Sequence, residues 1–478
     1  MPIVDRTVSL ADRYPLWSGL VVFCLQIGVR GPGLGQSALW LDESLSLLRT
    51  NFSTQHLLRF SATNENPPAY NLMLSAWVEL FGLTETGARS LSLLASALAG
   101  VFLFLLARRF FSAEVAVLAS LLYLDAGMVL NYAQEARSYS LVLLLCVVSF
   151  YVYFALLERP SVWRAAILSV VNALAVYTHF TVAIAFLAQL VGLAAVRPPA
   201  RTAGLYIVSQ IAAVGLFSPW IPVLVDRAPV PGVYWLGPPG RAQLLDAIVQ
   251  LGGGPAAVAA EAGLVVVGAW ILMLRGVDHR GLGPRVFALA WWGIASVLLC
   301  FVIAQWTPIF LPRYVLFALP GITLLTAVML EVAVPSRAWR WAAGIALAVS
   351  SFMHADLSAL PKPDWRVVSA VVQDLRREND LVFVSPPSGC PTFGFYFDRA
   401  SFLGPQKLVR GLRAQGVHCV EQVPDLGATR WGRPEAIVLV LKPNSKIDVD
   451  ATARDRGYRV TSERAIDRVR VVSLARAT

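Results

Sequence analysis

Residues 39–70 read LWLDESLSLLRTNFSTQHLLRFSATNENPPAY. This polar interval separates two long apolar blocks, and it gathers Asp42, Glu43 and Glu65 in a chain otherwise poor in acids. Carboxylates kept beside a bilayer are costly enough to suggest chemistry. A plainer reading exists for Asp42 alone. It precedes the helix-like run ESLSLL, and short polar residues favour helix starts because their side chains accept a backbone N–H. The rest of the chain decides between the two.

Hydrophobic residues make up 56% of the 478, charged residues 15%, and mean hydropathy is +0.61. Soluble domains average about 25% charged, so the composition is that of an integral membrane protein. The charge is unevenly spread. Residues 355–478 carry 19 Lys/Arg and 14 Asp/Glu, nearly half the total, and read as a soluble domain. The first 354 residues contain no lysine. The net charge of +10 is therefore largely arginine at the ends of apolar segments, where it orients helices. It does not signal nucleic-acid binding, because no basic stripe interleaves with aromatics. The five cysteines lack metal-ligand spacing. Residues 1–13 are polar and no small-residue cleavage pattern follows, so the first apolar block is expected to be an uncleaved span.

Apolar segments long enough to cross a bilayer lie near 15–34, 87–107, 114–131, 138–157, 163–180, 181–196, 203–225, 257–275, 286–306, 314–334 and 339–357. Arg6 and Arg13, Arg108 and Arg109, Arg159 and Arg164, Arg197 and Arg201, Arg275 to Arg285, and Arg337 and Arg340 then fall on alternate sides. If that side is the cytoplasm, every cluster obeys the positive-inside rule, and both the carboxylate loop and the C-terminal domain lie outside. Counting residues 68–82 as a span would invert everything downstream. They are expected instead to lie at the outer interface, with Trp77 at headgroup depth.

The remaining polar residues collect on that outer face. Glu135, Arg137 and Tyr139 sit between two spans in NYAQEARSYS, where a solvated turn with an internal ion pair is the plain alternative. His179 sits at a helix end in YTHF, as an interfacial residue or a ligand. Arg313 and Tyr314 occupy an outer boundary, and an arginine there opposes the orientation rule, which points to an anionic partner. Arg30 is similar, although it can snorkel. Residues 226–255, with Asp226, Tyr234 and Trp235, form a Pro/Gly-rich loop of a length usual for lids. From residue 358, DWRVVSAVVQDLRR, LVFVS, QKLVRGLRAQG, AIVLVLKP and RVRVVSLAR alternate helix and strand patterns, as in a small α/β domain. It carries neither a Gly-rich phosphate loop nor an evident nucleophile–base pair. Cys390 and Cys419 are its two cysteines and can pair in an oxidising compartment.

Taken in order, WLDES, NENPPAY, AQEARSYSL, YTHF and LPRYVLFALPG resemble the multi-spanning lipid-linked-sugar glycosyltransferases of the GT-C superfamily. The likeness is strongest to the bacterial branch related to protein O-mannosyltransferases, aminoarabinose transferases and the lipid A galacturonosyltransferases of rhizobia. It covers most of the membrane part, while the C-terminal domain matches only in position and general type. Relatives often carry a basic residue before the loop's proline, where this chain has Asn66, which leaves that donor-phosphate contact open.

The resemblance implies an all-α polytopic membrane domain of GT-C type over residues 1–357. It would hold about eleven transmembrane helices plus outer juxtamembrane helices, with a catalytic outer loop at 35–86. A small soluble α/β domain at 358–478 would follow. The implied reaction moves a sugar from a polyprenyl-phosphate donor to an acceptor hydroxyl at the outer face of a bacterial cytoplasmic membrane, with inversion. Glycan, lipid A and protein are all acceptors in the superfamily. Asp42 is the expected general base, its pKa raised by partial desolvation, with Glu43 beside it. Glu65, Glu135, Arg137, Tyr139, Arg313 and Tyr314 are the expected substrate-binding residues, and Glu65 and His179 could hold a divalent metal ion. The competing reading is a multi-pass lipid or sugar transporter or flippase. Its charges would sit near the midplane of repeated halves, whereas here they cluster at one face and no repeat is visible.

Overall fold

A chain segment in hydrocarbon must satisfy its own backbone hydrogen bonds, so long apolar runs become helices. The computed structural model describes residues 15–62, 67–227, 237–274, 281–307, 309–354, 362–377, 380–424, 426, 431 and 434–477. It is mostly helical, with a small sheet near the C-terminus. Two compact units emerge. One comprises Met1–Pro32, Leu58–Tyr70 and Arg89–Leu357, and the other Gly33–Leu57, Asn71–Ala88 and Ser358–Thr478. The part of the polar interval that carries Asp42 and Glu43 thus groups with the C-terminal residues, and Leu58–Tyr70 with the helical unit.

Among the described residues, six helices are long and apolar enough to cross a membrane: Glu85–Phe110, Tyr139–Glu158, Ala200–Val225, Pro255–Leu274, Leu282–Ile303 and Pro312–Ala333. Trp17–Arg30, Val162–Thr178 and Phe180–Val196 are shorter apolar helices. Each expected segment coincides with a helix, the last of them with Arg337–Met353. One requires correction. The segment expected as a single span at 114–131 is two helices, Ala113–Leu124 and Gly127–Ala133, bent by 63°. Asp125 caps the first of them at the break, rather than lying inside a continuous span. Ala69–Phe81 has 13 residues, about 20 Å at 1.5 Å per residue, and so falls short of a bilayer core.

Arg30 does not snorkel. It is fully buried, and its guanidinium donates to Ser96 Oγ at 2.8 Å and to the Tyr123 and Leu124 carbonyls at 2.5 and 3.2 Å. Those carbonyls belong to the turn that loses its helical partners where the chain bends, so the arginine satisfies acceptors that the break exposes. Gln134 Nε2 in turn donates to the Arg30 and Pro32 carbonyls at 3.0 and 2.9 Å.

Charged ends sort by side. Arg109 contacts Glu158 at 2.7 Å, and Arg340 contacts Glu114 at 3.0 Å. Arg285 reaches the Phe110 carbonyl at 2.5 Å. The basic residues of several helices therefore meet at one end of the bundle. Tyr139 and Glu158 begin and end the same 20-residue helix, about 30 Å long, so the residues around Tyr139 lie at the opposite end.

In the second unit, β1 (Leu381–Ser385), β2 (Val417–Cys419), β3 (Ala436–Leu441), β4 (Tyr458–Ile466) and β5 (Val469–Arg476) form one sheet in the order β2-β1-β3-β5-β4. β1 runs parallel to β2 and β3, while β3–β5 and β5–β4 are antiparallel. LVFVS and AIVLVL are apolar throughout because a central parallel strand is covered on both faces. Phe383, Ile437, Leu439, Leu441, Val472 and Leu474 face one core, against Val449 and Ala453 of the Val449–Arg456 helix. The helices Trp365–Leu375 and Cys390–Phe397 pack together, the former also touching β5. β4 (YRVTSERAI) is one of the two edges, and its exposed charged residues discourage pairing with other chains. Cys390 and Cys419 form a disulfide.

Candidate functional site

The Leu41–Arg49 helix carries the paired carboxylates in its first turn, where they favour the helix dipole. Their environments differ. Glu43 is fully buried, accepts the Trp40 backbone N–H at 3.3 Å, and lies 3.8 Å from Lys362 Nζ. Lys362 also approaches the Trp40 ring, 5.8 Å from its centroid. Asp42, one residue earlier on the helix, stays half-exposed. The cap is thus made by Glu43, so capping does not account for Asp42. Ser44 Oγ donates to Thr392 Oγ1 at 3.0 Å, which ties the helix to Cys390–Phe397.

The loop before this helix is held by groups that sequence reading missed. The Tyr396 hydroxyl accepts the Leu39 N–H at 2.8 Å and donates to Glu85 Oε1 at 3.0 Å. Burial pushes the Tyr396 phenol above its ordinary range, so it remains a donor at neutral pH. Arg366 lies 3.4 Å from the same Glu85 oxygen and donates to the Gly35 carbonyl at 3.1 Å. Their only sequence signal was a lone acid and a lone base in helix starts, TETGA and PDWRV.

The second group lies in the helical unit. Tyr132 and Tyr139 meet edge to face at 4.8 Å, and His179 stands 5.9 Å from Tyr139 and 5.1 Å from Tyr314 between ring centroids. The guanidinium of Arg137 is 5.9 Å from the Tyr139 ring, and that of Arg313 is 5.5 Å from the Tyr314 ring. Glu135 and Tyr139 are buried, while Tyr132, Arg137, His179, Arg313 and Tyr314 are half-buried. NYAQEARSYS is therefore not a solvated turn.

Thr181 orders the histidine. Its hydroxyl donates to the Tyr314 carbonyl at 2.7 Å and lies 2.8 Å from His179 Nδ1. A hydroxyl has one proton, already given to the carbonyl, so Nδ1 must donate and Nε2 carries the lone pair. Burial first, then the charges of Arg137 and Arg313, pushes the imidazole pKa down to about 3. The ring is neutral at physiological pH.

Glu65, expected to share a metal with His179, lies outside the described residues, as do Tyr234 and Trp235 of the 226–255 loop. Among the described residues no group of three or more His, Cys, Asp or Glu side chains could hold a metal. Two arginines flanking His179 suit an anion better than a cation.

Residues 65–222 match the family model described as dolichyl-phosphate-mannose-protein mannosyltransferase. No curated protein sequence matches the chain. Among solved structures, ArnT from Cupriavidus metallidurans in the apo state is similar with a TM-score of 0.64 at 16% identity, covering 97% of this chain and 98% of that one. The same protein bound to undecaprenyl phosphate gives 0.59 at 16% identity over the same shares. The archaeal oligosaccharyltransferase AglB from Archaeoglobus fulgidus, in complex with an inhibitory peptide and a dolichol-phosphate, gives 0.51 at 12% identity, over 90% of this chain and 70% of that one. Over nearly its whole length the chain thus shares the fold of ArnT, and residues 65–222, a third of it, match the mannosyltransferase family model.

Proposed function

We propose that the protein transfers a sugar from a polyprenyl-phosphate donor to an acceptor hydroxyl at the outer face of a bacterial cytoplasmic membrane, with inversion and with Asp42 as general base. One observation carries the assignment: of two adjacent carboxylates, Glu43 is buried against Lys362 and the Trp40 N–H, while Asp42 stays accessible. A general base must reach the proton it removes, which Glu43 in that setting cannot do. Glu43 then fixes the helix that presents Asp42. As the anomeric bond opens, negative charge grows on the leaving phosphate, and Arg137 and Arg313 supply the opposite charge. Tyr139 and Tyr314, against which those guanidiniums lie, orient them, and Glu135 and Glu65 are assigned to substrate contacts of the same reaction. Titration of His179 plays no part, since the ring is neutral. The ArnT complex with undecaprenyl phosphate supports a polyprenyl carrier here, and the basic helix ends gathered at the other end of the bundle support an outward-facing site.

The test is transfer from a synthetic lipid-linked sugar by purified protein. Asp42→Asn keeps the shape of the side chain and removes its basicity, so transfer should fall by roughly 10²–10⁴-fold while the protein still accumulates in the membrane. Near-normal transfer would move the role to Glu65 or Glu135.

A further inference from the structure

The second unit contains a feature that transfer at Asp42 does not use. In its parallel strands the order β2-β1-β3 places β1 centrally, with the chain leaving first to one side and then to the other. Side loops diverge at such a point, and the crevice outside the carboxyl ends of the strands is where open α/β sheets bind ligands. The carboxyl ends of β1 and β3 are Ser385 and Leu441, which are direct partners in the ladder.

The residue after β3 is Lys442, and its N–H continues the ladder to the Ser385 carbonyl at 3.0 Å. Leu441 points to the core with Val449, so Lys442 points to the opposite face. There its half-buried side chain runs over Gly389. A Cβ at position 389 would lie 3.2 Å from Lys442 Cδ, 3.2 Å from Val384 Cγ1 and 3.4 Å from Trp365 Cη2. Glycine leaves the room the lysine stem needs. The ammonium ends 3.5 Å from Ser388 Oγ, and among the described residues it makes no ion pair.

A half-buried ammonium without a carboxylate has lost part of its hydration for little return. Burial accordingly lowers the Lys442 pKa. The surroundings are held in place. Ser445 Oγ donates to Ser385 Oγ at 2.9 Å, and the Cys390–Cys419 disulfide joins the end of β2 to the segment that follows Gly389.

We propose that this crevice is an oxyanion site, in which Lys442 and Ser388 bind a phosphate group. The phosphate could be free or carried on a lipid headgroup, and the chemistry of recognition is the same. Lysine is a competent point-charge partner for phosphate, and the Ser388 hydroxyl adds a second donor.

The chain has lysines only at positions 362, 407, 442 and 446, which makes the proposal accessible to spectroscopy on the intact protein. Reductive ¹³C-methylation of purified full-length protein in detergent keeps the lysine charges and gives a small set of methyl resonances. The signal missing in Lys442→Arg is that of Lys442. In one arm inorganic phosphate is titrated against chloride at constant ionic strength, and in the other the micelles are doped with phosphatidic acid. The Lys442 signal should shift and saturate while those of Lys407 and Lys446 follow ionic strength only. Saturation with inorganic phosphate identifies the free anion as sufficient, and saturation with phosphatidic acid alone identifies a headgroup. Ser388→Ala, which leaves the lysine in place, should weaken binding about tenfold, the scale of one hydrogen bond to a charged group. If the Lys442 signal moves no more than that of Lys407 in both arms, there is no oxyanion site.

Discussion

The two polar clusters are near mirror images in charge. In the unit that contains the sheet, Asp42, Glu43 and Lys362 set two carboxylates against one ammonium. In the helical unit, Glu135, Arg137 and Arg313 set two guanidiniums against one carboxylate, among Tyr132, Tyr139, His179 and Tyr314. Each cluster buries one acid and keeps a charge of the majority sign accessible. A charge buried in its own unit fixes the local structure, whereas one that keeps some exposure can still meet a substrate. On the proposed reading the roles divide by sign, with proton removal given to the first cluster and compensation of phosphate to the second.

Substitution within the first cluster should break the comparison most sharply. Asp42→Asn is expected to lower transfer by roughly 10²–10⁴-fold without moving the unfolding temperature. Glu43→Gln should do the reverse. Its amide oxygen can still accept the Trp40 N–H, but Lys362 loses its counter-charge, which costs about 3 kcal/mol, the lower end for a buried pair because 3.8 Å is a long contact. Thermal unfolding of both variants beside the transfer assay would reveal the crossed pattern. Equal losses in both assays for both variants would show that the two carboxylates do not divide the work.

Covalent bracing also differs between the units. The disulfide closes a segment of 29 residues in the sheet-containing unit, whereas Cys24, Cys146 and Cys300 of the helical unit are free. Cys390→Ser with Cys419→Ser should destabilise the sheet-containing unit by roughly 3 kcal/mol through loop closure. Limited proteolysis should then cleave within 358–478 at lower temperature, with the helical unit unchanged.

Arg313→Ala is expected to reduce transfer about 10²-fold, the scale for one lost donor to a developing anion. Arg313→Lys should recover only part, because ammonium lacks the bidentate fork. The donor-concentration dependence of transfer distinguishes this from a general packing defect.

A further effect, confined to acid, is in pH. Because His179 is held near 3 when folded against about 6.5 when unfolded, folding disfavours its proton. Its contribution to stability is complete above about pH 6.5 and declines as the pH falls from there toward 3. Melting curves of the protein and of His179→Gln should run parallel at neutral pH and converge in acid, and His179 should add no limb to the transfer profile between pH 5 and 8.

Much of this was legible in the residues. Apolar runs gave the helices, and LVFVS and AIVLVL gave the central strands, because burial on both faces leaves a continuous hydrophobic signature. The ordered motifs carried the resemblance that the fold then matched. What stayed hidden depended on contacts distant in sequence. Nothing in KPDW announces that Lys362 answers Glu43, and nothing near Tyr396 that it caps Leu39. β4 was missed because an exposed, charged edge strand has no apolar alternation to detect. The break at Asp125 was missed because MVLNYA is as apolar as the helix before it, and the acceptors exposed at the bend are filled by Arg30 from another segment.

That last arrangement constrains how the protein is made. Arg30 ends the first apolar helix, yet the groups that receive it lie 66, 93 and 94 residues further along the chain. At about 5–20 residues per second, a ribosome needs several seconds to deliver them. Through that interval the guanidinium has no protein partner in the bilayer, where translocon scales charge arginine at a helix centre about 2.5–3.5 kcal/mol. The first helix must therefore wait with its C-terminal end in water or at lipid headgroups, and settle only when residues 96–124 arrive. A nascent chain stalled before residue 124 should leave a cysteine at position 31, beside the retained arginine, reactive to an aqueous alkylating reagent, and a chain released beyond it should not.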